Sequence, residues 1–312
     1  MLLDPFGPLS RDRDVVVLDG GLATELERRG ADLRDGLWSA RVLIEQPELI
    51  ERTHAAYFEA GADVAITASY QASFEGFAAR GMDEEEGAAL MRESVLLAGS
   101  ARDAWVAAAS PDIPRPLVAA SVGPYGAMRA DGSEYTGDYD RTTPELRTFH
   151  ARRLEVLADP DAGADLLAVE TIPSIQEAAA LADALAQHPR MPAWVSFSCR
   201  DGAHLCDGTP FAEAIHTVSV VPNVVAVGVN CTAPAHIESL VSLAAAHTDK
   251  RVLAYPNRGA AYDPVAKTWE GAGREDLGPM AETWVRAGAS IVGGCCGTGP
   301  EEIRAIAAAV AR

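Results

Sequence analysis

Cys231, Cys295 and Cys296 carry the strongest chemical signal in the sequence. Cys295 and Cys296 are adjacent, flanked by Gly293, Gly294 and Gly297, and Cys231 lies 64 residues before the pair. Three thiolates with an open fourth position describe a catalytic zinc site rather than a closed structural one. Neighbours in a regular strand face opposite ways, so the pair can share an ion only where the backbone leaves strand geometry. The flanking glycines permit that departure. The competing reading is three buried cysteines in an alanine-rich core, because free Cys is among the most buried residue types. Cys199 and Cys206, the remaining two of five cysteines, fall outside this group.

Two carboxylates stand at the ends of apolar runs, Asp19 before Gly20-Gly21 and Glu170 before Thr171. They suit a glycosidase pair, a seat for a substrate ammonium, or caps on the helices that follow. The Gly20-Gly21 turn offers backbone N–H groups to a carboxylate, or is only a tight turn. The seven histidines fall mostly in helical or loop patterns, where packing and surface roles are ordinary. No G-x-S-x-G elbow is present, which argues against a serine hydrolase.

The elements that must position these groups alternate along the chain. Eight runs rich in Val, Ile, Leu and Ala lack polar alternation, as in strands buried on both faces: Val15–Leu18, Asp63–Ala68, Pro116–Val122, Asp165–Val169, Ala193–Ser198, Asn223–Val229, Val252–Tyr255 and Ser290–Val292. Between them lie helical patterns such as Pro47–Ala60, Glu84–Ala109, Pro144–Leu157, Ser174–Gln187 and Pro300–Ala311. Gly61-Ala62-Asp63-Val64, Gly163-Ala164-Asp165-Leu166 and Gly288-Ala289-Ser290-Ile291 repeat one helix-to-strand junction. This count predicts a single (β/α)8 TIM barrel over residues 1–312, with loop insertions at Ala127–Thr143 and Arg258–Gly278. A doubly wound sheet is the alternative, but no G-x-G-x-x-G follows the first run. In a barrel the cysteines, Asp19 and Glu170 all gather at the C-terminal face of the strands.

Composition narrows the partners. Lys and Arg number 26 against 45 Asp and Glu, a formal charge of −19, so nucleic acid and anionic membranes are disfavoured. Met1–Asp14 holds no apolar core of signal-peptide length, and Val218–Val229 is broken by Pro222 and Asn223. The expectation is a cytoplasmic protein, where clustered thiols point to metal or catalysis. Nothing in the sequence fixes an oligomeric state.

Gly228-Val229-Asn230-Cys231 and Gly293-Gly294-Cys295-Cys296-Gly297-Thr298 resemble the two zinc motifs of the homocysteine S-methyltransferase family. Asp19-Gly20-Gly21 with Thr24-Glu25-Leu26-Glu27, Glu170-Thr171-Ile172-Pro173 and Tyr255-Pro256-Asn257 follow in the family's order, from Val15 to the C-terminus. Within the family the chain is similar to the S-methylmethionine-using enzymes, on Ile66–Ser73 and on Tyr262-Asp263 with Lys267-Thr268-Trp269. The resemblance implies one Zn2+ per chain on Cys231, Cys295 and Cys296, activating the thiol of homocysteine. It implies substrate contacts from Asp19, Gly20, Gly21, Glu170 and Asn230, with Tyr70, Asn257 and Arg258 on the side of a sulfonium methyl donor. S-methylmethionine is the expected donor and S-adenosylmethionine the other. Alternatives are another small thiol or selenol acceptor such as selenocysteine, or a thiolate zinc protein without catalysis. The chain departs from the pattern at Arg258, where a small residue is expected, and at Ala260, where an acidic one is common. An outward Arg258 is the ordinary reading; an inward one would pair with a donor carboxylate.

Overall fold

The computed structural model describes residues 4–9, 14–32, 38–111, 113–129, 131–259, 261–263, 268–270 and 275–311. Parallel strands β1 (Val16–Val17), β2 (Val64–Ile66), β3 (Leu117–Val122), β4 (Leu166–Ile172), β5 (Ala193–Phe197), β6 (Val224–Asn230) and β7 (Arg251–Tyr255) follow the predicted runs. A short antiparallel hairpin, β8 (Ala261–Asp263) with β9 (Thr268–Glu270), precedes the last barrel strand, β10 (Ile291–Val292). The ladder runs β1-β10-β7-β6-β5-β4-β3-β2, and a parallel bridge between Leu18 and Val64 closes it. The predicted (β/α)8 barrel is the observed fold.

Strand periodicity sorts the side chains. Val16, Leu18, Leu166, Ala168, Trp194, Leu253 and Ile291 fill the barrel, with Phe6 and Leu9 of the N-terminal segment in the same cluster. Their neighbours Val17, Leu167, Val169, Val195 and Val252 face the surrounding helices. The period of two carries Leu166, Ala168 and Glu170 onto one face, so β4 delivers its carboxylate to the interior at its last turns.

The helices are α1 (Leu22–Arg28), α2 (Trp38–Glu45), α3 (Pro47–Glu59), α4 (Phe74–Ala78), α5 (Glu84–Ala108), α6 (Tyr125–Arg129), α7 (Thr143–Leu157), α8 (Ile175–Leu185), α9 (Phe211–Ser219), α10 (Pro234–His247), α11 (Leu277–Arg286) and α12 (Pro300–Val310). Helix starts follow local chemistry: Asp83 and Thr142 form capping boxes with Glu86 and Glu145. Among the described residues no helix is long and apolar enough to cross a membrane. Ala260 and Lys267 lie outside the described residues, so the departure at Ala260 has no structural account.

Candidate active site

The three cysteines meet at the C-terminal mouth of the barrel. Cys231 follows β6 with φ +45°, a left-handed conformation that turns its side chain out of strand alternation. Cys295 and Cys296 follow β10, where the chain is gripped from both sides. The Cys295 N–H donates to the Pro256 carbonyl at 2.8 Å, and the Arg258 N–H donates to the Cys296 carbonyl at 2.9 Å. Gly297, at φ +83°, completes the turn, and its N–H donates to Thr24 Oγ1 at 2.9 Å. Adjacent cysteines thereby point to one place, as the glycines allow.

Their sulfurs lie within 4.8 Å of one another, the one such ligand cluster among the described residues. Cys296 Sγ stands 3.8 Å from Cys231 Sγ and 4.0 Å from Cys295 Sγ. Sulfurs held tetrahedrally at ~2.3 Å from one ion lie about 3.8 Å apart, so two of the three pairs already have metal-site spacing. Cys231 and Cys295 are joined as a disulfide, the oxidised alternative to shared coordination. Their reduction is the condition for a three-thiolate site. Burial, and then the charges of Glu170 and Glu134, push the Cys296 thiol up to about 12. A cation is what would favour the thiolate there.

Glu170 is 6% exposed, its carboxylate accepting from the Ser121 hydroxyl and, at 3.1 Å, from the Tyr255 hydroxyl. Burial nevertheless pushes its carboxyl up to about 7. Asp19 is fully buried; its Oδ2 accepts the Ile66 N–H at 2.8 Å, and its Oδ1 has no partner. Burial raises its carboxyl well above the usual carboxylate range, and the Glu170 charge adds to the rise. The two carboxylates therefore resist ionisation until a cation arrives.

Asn230, expected at the substrate, is not among the described residues that line the cavity with Glu170 and Cys231. It is fully buried, accepting the Thr171 N–H at 2.8 Å and the Ser196 hydroxyl at 2.9 Å, and donating to Thr171 Oγ1 at 2.8 Å. It thus ties Thr171, held at φ +63° after Glu170, to the residue preceding Cys231. Carboxylate and thiol share one rigid frame.

Gly20, Gly21, Tyr70, Glu170 and the three cysteines line a single cavity. The Gly21 N–H is already donated to the Thr298 carbonyl at 3.0 Å, so the first-turn N–H groups of α1 remain to meet a carboxylate there. Asn257 does not line the cavity; its Oδ1 accepts the Gly259 N–H at 3.1 Å. Arg258, expected on the donor side, is not among the described residues that line the cavity, and its guanidinium stands 2.9 Å from Glu302 on α12. Cys199 and Cys206 stand apart from the sulfur cluster. Glu134 and Gln71 also line the cavity and were not singled out from the sequence. Among the described residues no Lys, Arg or His lines it.

The homocysteine S-methyltransferase family model matches residues 16–310. The chain belongs to that family. Homocysteine S-methyltransferase YbgG of Bacillus subtilis is 50% identical over 94% of each chain. Selenocysteine Se-methyltransferase of Brassica oleracea var. italica is 48% identical, over 93% of this chain and 87% of its own. The metallated crystal structure of the homocysteine methyltransferase MmuM from Escherichia coli superposes with a TM-score of 0.88, at 45% identity, covering 97% of this chain and 99% of that one. MmuM has also been solved in an oxidised form, with a TM-score of 0.89. A homocysteine S-methyltransferase fold thus frames the sulfur cluster and both buried carboxylates.

Proposed function

We propose that the chain transfers a methyl group from S-methylmethionine to the thiol of homocysteine, giving methionine from both substrates. The observation that carries this reading is the cavity itself. Three cysteine sulfurs and the buried carboxylates of Glu170 and Glu134 face it, with no cationic side chain among its described lining residues, so its complements are a metal dication and organic cations. With the Cys231–Cys295 disulfide reduced, the set fits zinc in donor type, two of its three sulfur pairs already stand at metal-site spacing, and Cys231, Cys295 and Cys296 would hold one ion per chain. Zinc bound there supplies an open coordination position at which a thiol is held as the nucleophilic thiolate. A cytoplasmic setting suits it, because thiols stay reduced there.

The protein's own residues perform orientation. Glu170 on the cavity wall receives the homocysteine ammonium, and Asp19, adjoining the wall residues Gly20 and Ile66, adds its charge and an unpartnered Oδ1; the start of α1 receives the substrate carboxylate. The thiolate sulfur attacks the methyl carbon. The carbon–sulfonium bond breaks with its electron pair left on the departing neutral sulfide, so no general acid is needed. Alignment of sulfur, carbon and sulfur is then the main demand on the site. Asn230 holds Thr171 and thereby the frame that sets this alignment.

Both candidate donors carry a sulfonium, so only the enclosing loops can separate them. S-methylmethionine is compact, whereas S-adenosylmethionine needs room for an adenosyl group. With homocysteine as common acceptor, S-methylmethionine is expected to show a kcat/KM roughly tenfold or more above S-adenosylmethionine. Equal or better turnover with S-adenosylmethionine overturns the donor assignment. Arg258→Ser is expected to leave this ratio unchanged, since the guanidinium pairs with Glu302.

Selenocysteine is the second acceptor reading, favoured by the 48% identity to an enzyme named for it. It is one methylene shorter than homocysteine, so ammonium anchors and thiolate position cannot suit both equally. Competition between the two acceptors at a fixed donor concentration decides between them.

A further inference from the structure

Glu134 lies on a single 3-10 turn, Ser133–Tyr135, in the loop between β3 and α7. Its side chain is 6% exposed and lines the same cavity as Glu170 and the cysteines. Its Oε2 is buried without a hydrogen-bond partner. Gln71 brings a second acceptor of this kind. Its Nε2 donates to the Ala127 carbonyl at 3.0 Å, which leaves Oε1 buried and unpartnered in a residue that lines the cavity. Buried polar atoms are ordinarily paired, so two such oxygens on one cavity mark where hydrogen-bond donors arrive.

The loop is built to hold this carboxylate in place. A Cβ on Gly126 of α6 would lie 2.4 Å from the Glu134 amide nitrogen, so the turn packs directly on glycine backbone. Gly132, at φ +83°, starts the turn in a conformation that glycine adopts without strain. Gln71, by bonding Ala127, ties this loop to the one after β2. Glu134 lines the cavity together with Tyr70, Glu170 and the three cysteines, so the carboxylate faces the space where a donor must sit.

The chemistry of the acceptors selects the ligand group. A sulfonium has no N–H or O–H to donate and meets an oxygen only through its charge and weak C–H contacts. An ammonium has three donors and a full charge. We propose that Glu134, together with Gln71, receives the α-ammonium of the methyl donor, as Asp19 and Glu170 receive that of homocysteine. This assignment rests on the reading of S-methylmethionine as donor. Burial pushes the Glu134 carboxyl up to about 7, and an arriving ammonium favours its ionised form.

The test uses the full reduced, zinc-loaded chain and calorimetric titration of S-methylmethionine with no acceptor present, so that no transfer occurs. Glu134→Gln keeps the shape and removes the charge. Its Kd for S-methylmethionine is expected to rise roughly 10–100-fold, the usual loss for a charge-assisted hydrogen bond. Its Kd for homocysteine should stay within about twofold, which also shows that the variant is folded. Dimethylsulfoniopropionate keeps sulfonium and carboxylate but has no ammonium, so it should bind wild type and variant alike. An unchanged S-methylmethionine Kd, or an equal loss for homocysteine, overturns the role of Glu134 while wild-type turnover keeps the donor reading. Failure of the wild type to turn over S-methylmethionine removes that reading, and this assignment with it.

Discussion

Cys231→Ser is expected to lose most of its bound zinc and to fall roughly 10³-fold or more in methyl transfer, as removal of several kcal/mol of metal activation would require. The effect follows from the geometry of the cluster. Cys231 comes from β6, whereas Cys295 and Cys296 come from the turn after β10, so no nearby sulfur replaces it. A serine oxygen is a harder ligand than a thiolate and holds zinc less well. Metal content by atomic absorption and single-turnover methionine formation, measured under reducing conditions, check this expectation. Full zinc occupancy in Cys231→Ser would remove Cys231 from the ligand set. The same measurements on Cys295→Ser and Cys296→Ser should give the same losses.

Glu170→Gln is expected to raise the homocysteine KM roughly 10–100-fold with zinc content unchanged, because the charge facing the ammonium is lost while the shape remains. A second signature separates this from simple damage. The carboxyl is raised from 4.5 to about 7 by burial, so the folded chain binds more protons than the unfolded chain between those values. Stability from this group is therefore full below about pH 4.5 and falls as pH rises to about 7, by about 3 kcal/mol at 1.36 kcal/mol per unit. Glu170→Gln removes that loss. Without substrate the variant is expected to be more stable than wild type at pH 8 and to lose this contribution to the slope between pH 4.5 and 7. Chemical denaturation at several pH values reads it directly. Unchanged homocysteine kinetics would return Glu170 to a purely structural role.

How far these groups were legible in the sequence differs from one to the next, for physical reasons. The barrel was readable because its strands are buried on both faces and several helix starts carry their own cap, as at Asp83 and Thr142. The cysteine cluster was readable because glycines around Cys295 and Cys296 announce a turn, though not the left-handed backbone of Cys231. Glu170 followed from its place at a strand end. Asn230 binds Thr171 and Ser196 through its side-chain amide, a set of partners that only register across β4, β5 and β6 reveals. The pairing of Arg258 with Glu302, 44 positions away, has no local signal in the sequence. Glu134 was hidden because an acid in a loop insertion reads as a solvated face. Its one local hint is the pair of left-handed glycines, Gly132 and Gly137, that bracket it.

The central claim is metal-dependent methyl transfer from S-methylmethionine to homocysteine. The most direct measurement follows methionine formation by the purified, reduced, zinc-loaded chain, with the donor methyl isotopically labelled, before and after removal of metal by a chelator. Two methionines should form per homocysteine consumed, one carrying the transferred methyl, and activity should vanish with the zinc and return when zinc is restored. Absence of labelled transfer, or full activity in the metal-free chain, would contradict it.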